Sequence, residues 1–393
     1  ASSTGVERVF GGLTLNGSID VNSNSVLSFN GDQTLGGNGT IVLGNTGASN
    51  RALSLEGNTA LTIGSNVVVR GENGTLGQAY LSGGTQSLIN NGAISADVSG
   101  GIFNLVPASG TTNNGVLEAR NGGTLVLGSA VTNTGSGHID ANNGTVRQNG
   151  VTVAGGTINT LGTGRFSVSN SNSNFLDGVT VNGGLLDLAT GTGIERVVNG
   201  LTLSSNGIVQ VNSNSVLSFN GNQTIGGSGQ IVLGDTGGSN RALSLEGNTA
   251  LTIGQNVLVH GINGTLGQTY LAGGTQQLIN QGTIASDGGG TITVGVNSGS
   301  LVNNGTMRAQ NGTLTIQNAL TGTGALQVDP TGVLNLTNTA HTQGRLAIAG
   351  AGSTLNIGTQ NLTINADYTN VAAGAGNAFN RRAGVSGLGQ IVA

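Results

Sequence analysis

The sequence predicts an all-β chain that winds as a parallel β-helix, and three observations support this prediction. The chain of 393 residues repeats itself: the stretch 5–97 returns as 193–287 with a two-residue insertion. Short apolar–polar–apolar triplets recur along the chain, and Asn, Gly or Ser separates each triplet from the next. Self-similarity of this kind is typical of solenoids, in which each unit buries its apolar face only against its neighbours.

The triplets indicate strands, and the residues between them indicate turns. The first triplets are LTL at 13–15, IDV at 19–21 and LSF at 27–29. Period-2 alternation places both apolar side chains of a triplet on one face of a strand. Asn and Gly tolerate positive φ and turn the chain within one or two residues. The same pattern recurs at 41–43, 53–55, 61–63, 67–69, 125–127, 151–153, 179–181 and 186–188.

Helices and hairpin sandwiches fit the sequence less well. No segment keeps a helical apolar stripe for three turns, and Gly costs about 1 kcal/mol at each interior helix position. The 74 glycines therefore argue against helices. Sandwich strands of about 5–6 residues are longer than these triplets. A coil of about 20 residues predicts about 19 coils, which at about 4.8 Å each would form a rod about 90 Å long.

The duplication divides the predicted solenoid into two tandem super-repeats, 1–190 and 191–370, with the second continuous with the first. Beyond residue 97 the copies drift, yet the Asn-Asn-Gly at 113–115 still matches the one at 303–305. The pattern fades after Ile364, and the tail contains Arg381 and Arg382. We therefore predict that 371–393 is a cap or a junction segment.

Composition limits the classes of partner. Charged residues make up 7% of the chain, the net charge is -4, and all twelve basic residues are Arg. There is no basic stripe, so the sequence does not favour nucleic-acid binding. No apolar run approaches the roughly 18 residues of a membrane span, so we expect no membrane insertion. The absence of Cys suits a secreted bacterial protein, although it also fits the cytosol.

Several stretches carry a family resemblance: LTLNGSIDVNSNSVLSFNG, TLGGNGTIVLG, VTNTGSGHIDANNGTV and LTGTGALQVDPTGVLNL. In repeat style the chain resembles the filamentous haemagglutinin-like exoproteins and autotransporter passengers of Gram-negative bacteria. The tail NAFNRRAGVSGLGQIVA is similar to segments that follow such repeats in very large surface exoproteins. The resemblance implies a right-handed β-helix at the outer cell surface or in the extracellular space, serving adhesion, aggregation or the biofilm matrix.

We therefore expect a non-enzymatic structural or adhesive β-helix that acts as a rigid stalk or fibre segment. Its expected partners are its own coil edges, paired end to end, adjoining segments of a longer polypeptide, and cell-surface or matrix glycans. The alternative is a polysaccharide-binding or polysaccharide-cleaving β-helix, and cleavage would need acids about 6–9 Å apart in a groove. No calcium nonapeptide or zinc-ligand spacing occurs, so we expect no metal and no cofactor.

The duplication also tests the acidic residues, because a catalytic acid should persist in both copies. Glu56 and Glu246 persist, and each has an arginine nearby, Arg51 and Arg241. We interpret these as structural ion pairs rather than as catalytic groups. The three histidines stand apart from one another in the sequence, and we expect them to be solvated.

Two further pairs of equivalent residues are candidate contact sites. Tyr80 and Tyr270 lie in the matched GTLGQxYL segments and could stack on sugars, or each could be a partly buried ring that closes a coil. Asn73 and Asn263 begin Asn-Gly-Thr triplets and are candidate glycosylation sites. The same triplet is also a good turn leading into a strand, which is the interpretation we favour.

Overall fold

The computed structural model describes residues 5–44, 52–188, 193–212, 214–235, 242–337, 339–350, 352–357, 359–370, 385–386 and 391–392. These residues contain no helix, and their parallel strands stack as a β-solenoid of about 15 turns. The all-β, parallel β-helix prediction is therefore confirmed. The chain divides into two compact units, Ala1–Asp187 and Leu188–Ala393. Most of the predicted cap or junction segment 371–393 lies outside the described residues.

The first unit is built from short strands that repeat in groups of three. They are β1 (Val6–Phe10), β2 (Leu13–Leu15), β3 (Ser18–Val21), β4 (Val26–Asn30), β5 (Gln33–Gly37), β6 (Thr40–Leu43), β7 (Leu53–Glu56), β8 (Ala60–Ile63), β9 (Val68–Gly71), β10 (Gly74–Leu76), β11 (Ser87–Asn90), β12 (Ala93–Ala96), β13 (Ile102–Leu105), β14 (Thr111–Asn113), β15 (Val116–Arg120), β16 (Thr124–Leu127), β17 (Val131–Asn133), β18 (His138–Asn142), β19 (Thr145–Gln148), β20 (Thr152–Ala154), β21 (Thr157–Leu161), β22 (Arg165–Val168), β23 (Asn174–Asn182) and β24 (Leu185–Asp187).

Each coil of the first unit contributes one strand to each of three parallel columns. The first column runs β1-β4-β7-β10-β13-β16-β19-β22-β24. The second runs β2-β5-β8-β11-β14-β17-β20-β23. The third runs β3-β6-β9-β12-β15-β18-β21-β23. Equivalent residues of successive coils therefore lie above one another on three faces.

The second unit follows the same plan, but some of its strands are longer and continue from one column into the next. They are β25 (Ile194–Val211), β26 (Val216–Asn220), β27 (Gln223–Asp235), β28 (Leu243–Glu246), β29 (Ala250–Ile253), β30 (Asn256–Leu266), β31 (Gln276–Asn280), β32 (Thr283–Ser286), β33 (Thr291–Val294), β34 (Gly299–Asn303), β35 (Thr306–Ala309), β36 (Thr313–Ile316), β37 (Leu320–Thr321), β38 (Ala325–Val328), β39 (Val333–Leu336), β40 (His341–Ile348), β41 (Thr354–Ile357), β42 (Leu362–Asn370), β43 (Val385–Ser386) and β44 (Ile391–Val392).

The predicted count of about 19 coils is wrong, and the structure has about 15 turns. Some coils have the expected length, since Val6 pairs with Val26, 20 residues further on. Other coils are wider, because Leu76 pairs with Leu105 only after an excursion of 29 residues. Loops inserted between the strands of a coil lengthen it without adding a rung to the stack.

The core lies inside the three columns and consists of aliphatic ladders. In the third column Ile41, Val69 and Ile94 follow one another in register and are fully buried. Phe29 and Phe219, at equivalent positions of the two units, are also fully buried. Each inward side chain is sheltered by the coil above and the coil below, as the sequence predicts for a solenoid.

The second column also carries a polar ladder inside the core. In the first unit, Ile63 is followed in register by Asn90, Asn113 and Asn133. The Asn90 amide donates to the Asn113 side-chain oxygen at 2.8 Å, and Asn113 donates to Asn133 at 2.8 Å. The second unit repeats the arrangement through Asn280, Asn303 and Gln343, at 2.8 and 2.7 Å. Neighbouring carboxamides therefore hydrogen-bond to one another where aliphatic side chains would otherwise continue.

Candidate functional site

Each unit carries one loop that is held against the solenoid by a buried carboxylate. In the first unit the loop spans 77–86, between β10 and β11, and the carboxylate is that of Glu56 at the end of β7. Its two oxygens accept the backbone N–H groups of Tyr80, Leu81 and Ser82 at 3.0, 2.9 and 2.7 Å. The Ser54 hydroxyl donates to the same carboxylate at 2.8 Å. Glu56 is 5% exposed, so the anchor lies beneath the loop.

The second unit reproduces this anchor residue by residue. Glu246, at the end of β28, accepts the N–H groups of Tyr270, Leu271 and Ala272, the first two at 3.1 and 2.9 Å. The hydroxyls of Ser218 and Ser244 also donate to Glu246. The loop 267–275 is therefore fixed to its own unit by the same chemistry.

The hydrogen bonds keep both carboxylates ionised. Burial alone would raise the pKa of Glu56, but hydrogen bonds from Ser82, Ser54, Leu81 and Tyr80 together lower it below its ordinary value of 4.5. The pKa of Glu246 is also below 4.5, because the hydrogen bonds to that carboxylate again outweigh burial. An ionised carboxylate only accepts hydrogen bonds, which suits a group that faces three backbone donors.

A second set of contacts pins the far end of each loop. The side-chain oxygen of Asn58 accepts the N–H of Thr85 at 3.0 Å, and the Gln86 amide donates to the Gly57 carbonyl at 2.7 Å. Asn248 and Gln276 make the matching bonds in the second unit, at 2.9 and 3.0 Å. Both loops are thus held at their centre and at their end, which favours one conformation.

The anchored loops expose a tyrosine and a leucine side by side. Tyr80 is 44% and Leu81 50% exposed, and Tyr270 and Leu271 are 43% and 39% exposed. More than half of each tyrosine is covered, so the interpretation of a partly buried ring that closes a coil also stays a prediction. Their role as ligand contacts stays a prediction, and the structure adds the neighbouring leucine to it.

The predicted ion pairs are not the contacts through which the two glutamates hold the loops. Arg51 and Arg241 lie outside the described residues, so their pairing with Glu56 and Glu246 stays a prediction. The carboxylate-to-backbone anchor was missed by sequence reasoning. A signal for it exists, because Glu56 and the Tyr80 segment are both retained in the second copy.

The two candidate glycosylation residues support turns between coils. The side-chain oxygen of Asn73 accepts the N–H of Ile102 at 3.0 Å, and that of Asn263 accepts the N–H of Thr291 at 2.9 Å. This agrees with the turn interpretation. Their glycosylation stays a prediction.

Many of the described carboxylates outside the loops form ion pairs. The pairs are Arg70–Asp97, Arg120–Glu118, Arg165–Asp187 and Arg308–Asp329, and His138 and His260 lie beside Asp140 and Asp287. Across the part of the chain that the structure describes, no group of three His, Cys, Asp or Glu side chains could hold a metal ion. In the same residues no helix is long and apolar enough to cross a membrane.

The expectation that all three histidines are solvated is wrong for His341. This side chain is 2% exposed in the second column, where its Nδ1 accepts the N–H of Leu320 at 3.3 Å. Burial lowers the pKa of His341 below 6.5, and a contact with the Thr337 carbonyl offsets only part of that effect. His260 is half-buried between Asp287 and Gln230, at 2.8 and 3.0 Å.

Comparison with protein-family models, with curated proteins and with solved structures finds no match to this chain.

Proposed function

We propose that this chain is a non-enzymatic, extracellular structural or adhesive β-solenoid, a stalk or fibre segment of a bacterial surface or secreted exoprotein. The observation that carries the proposal is the repeated display of one contact surface. The same loop, anchored by the same buried carboxylate, presents an exposed Tyr-Leu pair in each unit. Two copies of a weak contact on one chain give avidity without any new contact.

The chemistry of the loops supports display rather than catalysis. Glu56 and Glu246, the acids retained beneath the loops, are occupied by backbone N–H groups. A general acid in glycoside cleavage needs a raised pKa, whereas both of these pKa values are lowered. The resemblance in repeat style to haemagglutinin-like exoproteins supports an extracellular location.

Adhesion is tested with beads coated with the full chain. We expect coated beads to aggregate or to bind bacterial and host-cell surfaces. Replacing Tyr80, Leu81, Tyr270 and Leu271 by Ser should abolish this adhesion, and replacement in one loop alone should weaken it. Full adhesion by the four-fold variant, with an unchanged circular dichroism spectrum, would contradict the proposal.

The enzymatic alternative is tested on the same preparation. The chain is incubated with neutral and acidic polysaccharides, and new reducing ends and unsaturated products are measured. We expect no turnover. Cleavage of any of these polysaccharides would replace the structural proposal with the alternative of a polysaccharide-cleaving β-helix.

A further inference from the structure

The second unit has an uncharged groove beside the end of its anchored loop. The groove has a volume of about 450 Å³. Its lining residues are Asn222, Asn248, Thr249, Ala250, Thr275, Gln276, Gln277, Gly299 and Ser300. Thr275 ends the loop that displays Tyr270, so the groove and the exposed ring share one anchored segment.

The floor of the groove is a column of equivalent residues on successive coils. Ala250 pairs with Gln277, and Gln277 pairs with Ser300. Asn222 precedes Ala250 in the same column, since Gln223 pairs with Leu251. Four coils at about 4.8 Å spacing make a floor roughly 14 Å long. The spacing of about 4.8 Å between successive coils is comparable with the length of one hexose unit in an extended glycan.

The groove offers hydrogen-bonding groups of the kind that sugar hydroxyls need. Asn222 and Asn248 use their side-chain oxygens to accept the N–H groups of Ala250 and Thr275, at 2.9 Å in both cases. Gln277 donates to the Ser300 hydroxyl at 3.0 Å. These bonds leave amide hydrogens on Asn222, Asn248 and Gln277, and the Gln277 carbonyl oxygen, for a ligand.

The first unit provides an internal contrast at the equivalent positions. Asp32 stands where the second unit has Asn222, and it accepts the Ala60 N–H at 2.8 Å as Asn222 accepts that of Ala250. Both side chains thus accept the same backbone hydrogen bond. The second group of the side chain, which is left for a ligand, is a carboxylate oxygen in Asp32 and an amide donor in Asn222. Ser87 stands at the position equivalent to Gln277, and its shorter side chain carries a hydroxyl in place of the amide donor.

From this contrast we infer that the groove of the second unit binds a neutral, extended oligosaccharide, one sugar ring for each coil. The inference goes beyond the proposed adhesive display of the Tyr-Leu pairs, because the groove is a separate contact site in the second unit. Carboxamides and hydroxyls bond the ring hydroxyls, and the small side chain of Ala250 leaves room for the apolar face of a ring. No charged side chain lines the groove, so an acidic glycan gains nothing there.

The probes are cellohexaose, laminarihexaose and mannohexaose, with hexagalacturonate as the acidic control, each titrated calorimetrically into the full chain. We expect at least one neutral hexaose to bind with one site per chain, and the acidic one not to bind. Gln277→Ala and Asn222→Asp should each weaken binding about tenfold, as expected for the loss of one hydrogen bond to a sugar hydroxyl. Gln281→Ala removes an exposed glutamine of the same coil outside the groove and should leave binding unchanged.

A gain of function gives the sharper test. Asp32→Asn combined with Ser87→Gln restores both amides in the first unit, where Gly110 stands in place of Ser300, and should add a second, weaker site. Binding of no neutral hexaose, or undiminished binding by the Gln277→Ala and Asn222→Asp variants, overturns the inference. Calorimetry does not depend on bead adhesion, and the Tyr-Leu variants leave the groove residues in place. Failure of the groove is therefore distinguishable from failure of the adhesive function.

Discussion

The carboxylate of Glu56 accepts the backbone N–H of Ser82 at 2.7 Å, across a separation of 26 residues. A charged group at the inner end of a strand thus fixes a loop that the chain reaches only one coil later. Hydrogen bonds to ionised groups are stronger than neutral ones, and here three N–H donors converge on one buried carboxylate. In the described part of each unit this device presents an exposed Tyr-Leu pair on a fixed backbone.

Removing the charge should release the loop locally. Glu56→Gln keeps one acceptor oxygen but turns an amide donor toward backbone donors, so we expect a loss of about 2–3 kcal/mol in the stability of the loop. Hydrogen exchange at Tyr80, Leu81 and Ser82 should accelerate by about 30- to 150-fold, as local opening becomes easier. Exchange measured by NMR checks this directly.

The chain supplies its own control for that experiment. The amides of Tyr270 and Leu271 depend on Glu246 and should keep their protection in the Glu56→Gln variant. Glu7→Gln, a change at an exposed acid of β1, should affect neither loop. Equal acceleration in both loops would mean that Glu56 stabilises the fold globally and is not a local anchor.

The anchor should also fail in acid. The pKa of Glu56 is lowered in the folded chain, so its ionised form contributes stability that is fully present above 4.5 and is lost as the pH falls through the folded pKa. The amide shifts of Leu81 and Ser82, followed by NMR, should therefore titrate together with a midpoint below 4.5. Glu246 should behave in the same way. A midpoint above 4.5 would show that burial outweighs the hydrogen bonds.

Most of the fold could be predicted from the sequence because period-2 alternation reports which side chains point inward. Ile41 and Val69 are buried, as their triplets indicate. The number of coils could not be predicted in the same way, because it depends on how many residues the loops add. The excursion between Leu76 and Leu105 contains the segment 77–86, which forms no strand rung of its own.

The anchors and the buried histidine were missed for a different reason. Local sequence shows that Arg51 is near Glu56, and this proximity suggested an ion pair. It does not show that a loop 24 residues further on will bring three N–H donors to the carboxylate. His341 occupies an inward strand position that holds Leu301 and Leu320 in earlier coils and Leu362 in the next, and composition alone does not reveal such a substitution. Contacts between coils decide both cases.

The carboxamide ladder should be sensitive at its centre. Asn113→Ala removes the acceptor of Asn90 and the donor to Asn133, all within the core, and leaves a small cavity. Buried polar groups left unsatisfied cost about 1–3 kcal/mol each, so we expect a loss of about 2–4 kcal/mol in stability. The melting temperature of the chain and the exchange protection of β14 measure it.

The matched control is Asn104→Ala, which truncates a half-buried asparagine of β13 that donates only one long bond, at 3.5 Å. This change should cost less than about 1 kcal/mol, in line with the cost of most substitutions outside the core. Similar losses at Asn104 and Asn113 would show that the ladder contributes no more than an ordinary surface amide.

His341 should make the second unit sensitive to mildly acidic pH. Its pKa is lowered in the folded chain, so below 6.5 the unfolded chain binds a proton that the folded chain excludes. Stability should fall as the pH drops below 6.5 and should level off once the pH is below the folded pKa. His341→Gln keeps an acceptor for the Leu320 N–H without a titrating group, and it should remove this part of the pH dependence.

The wild-type chain and the His341→Gln variant are compared by hydrogen exchange in β37 and β40 between pH 7 and pH 5, with the rates corrected for intrinsic exchange. The same loss of protection in both proteins would assign the acid sensitivity to another group.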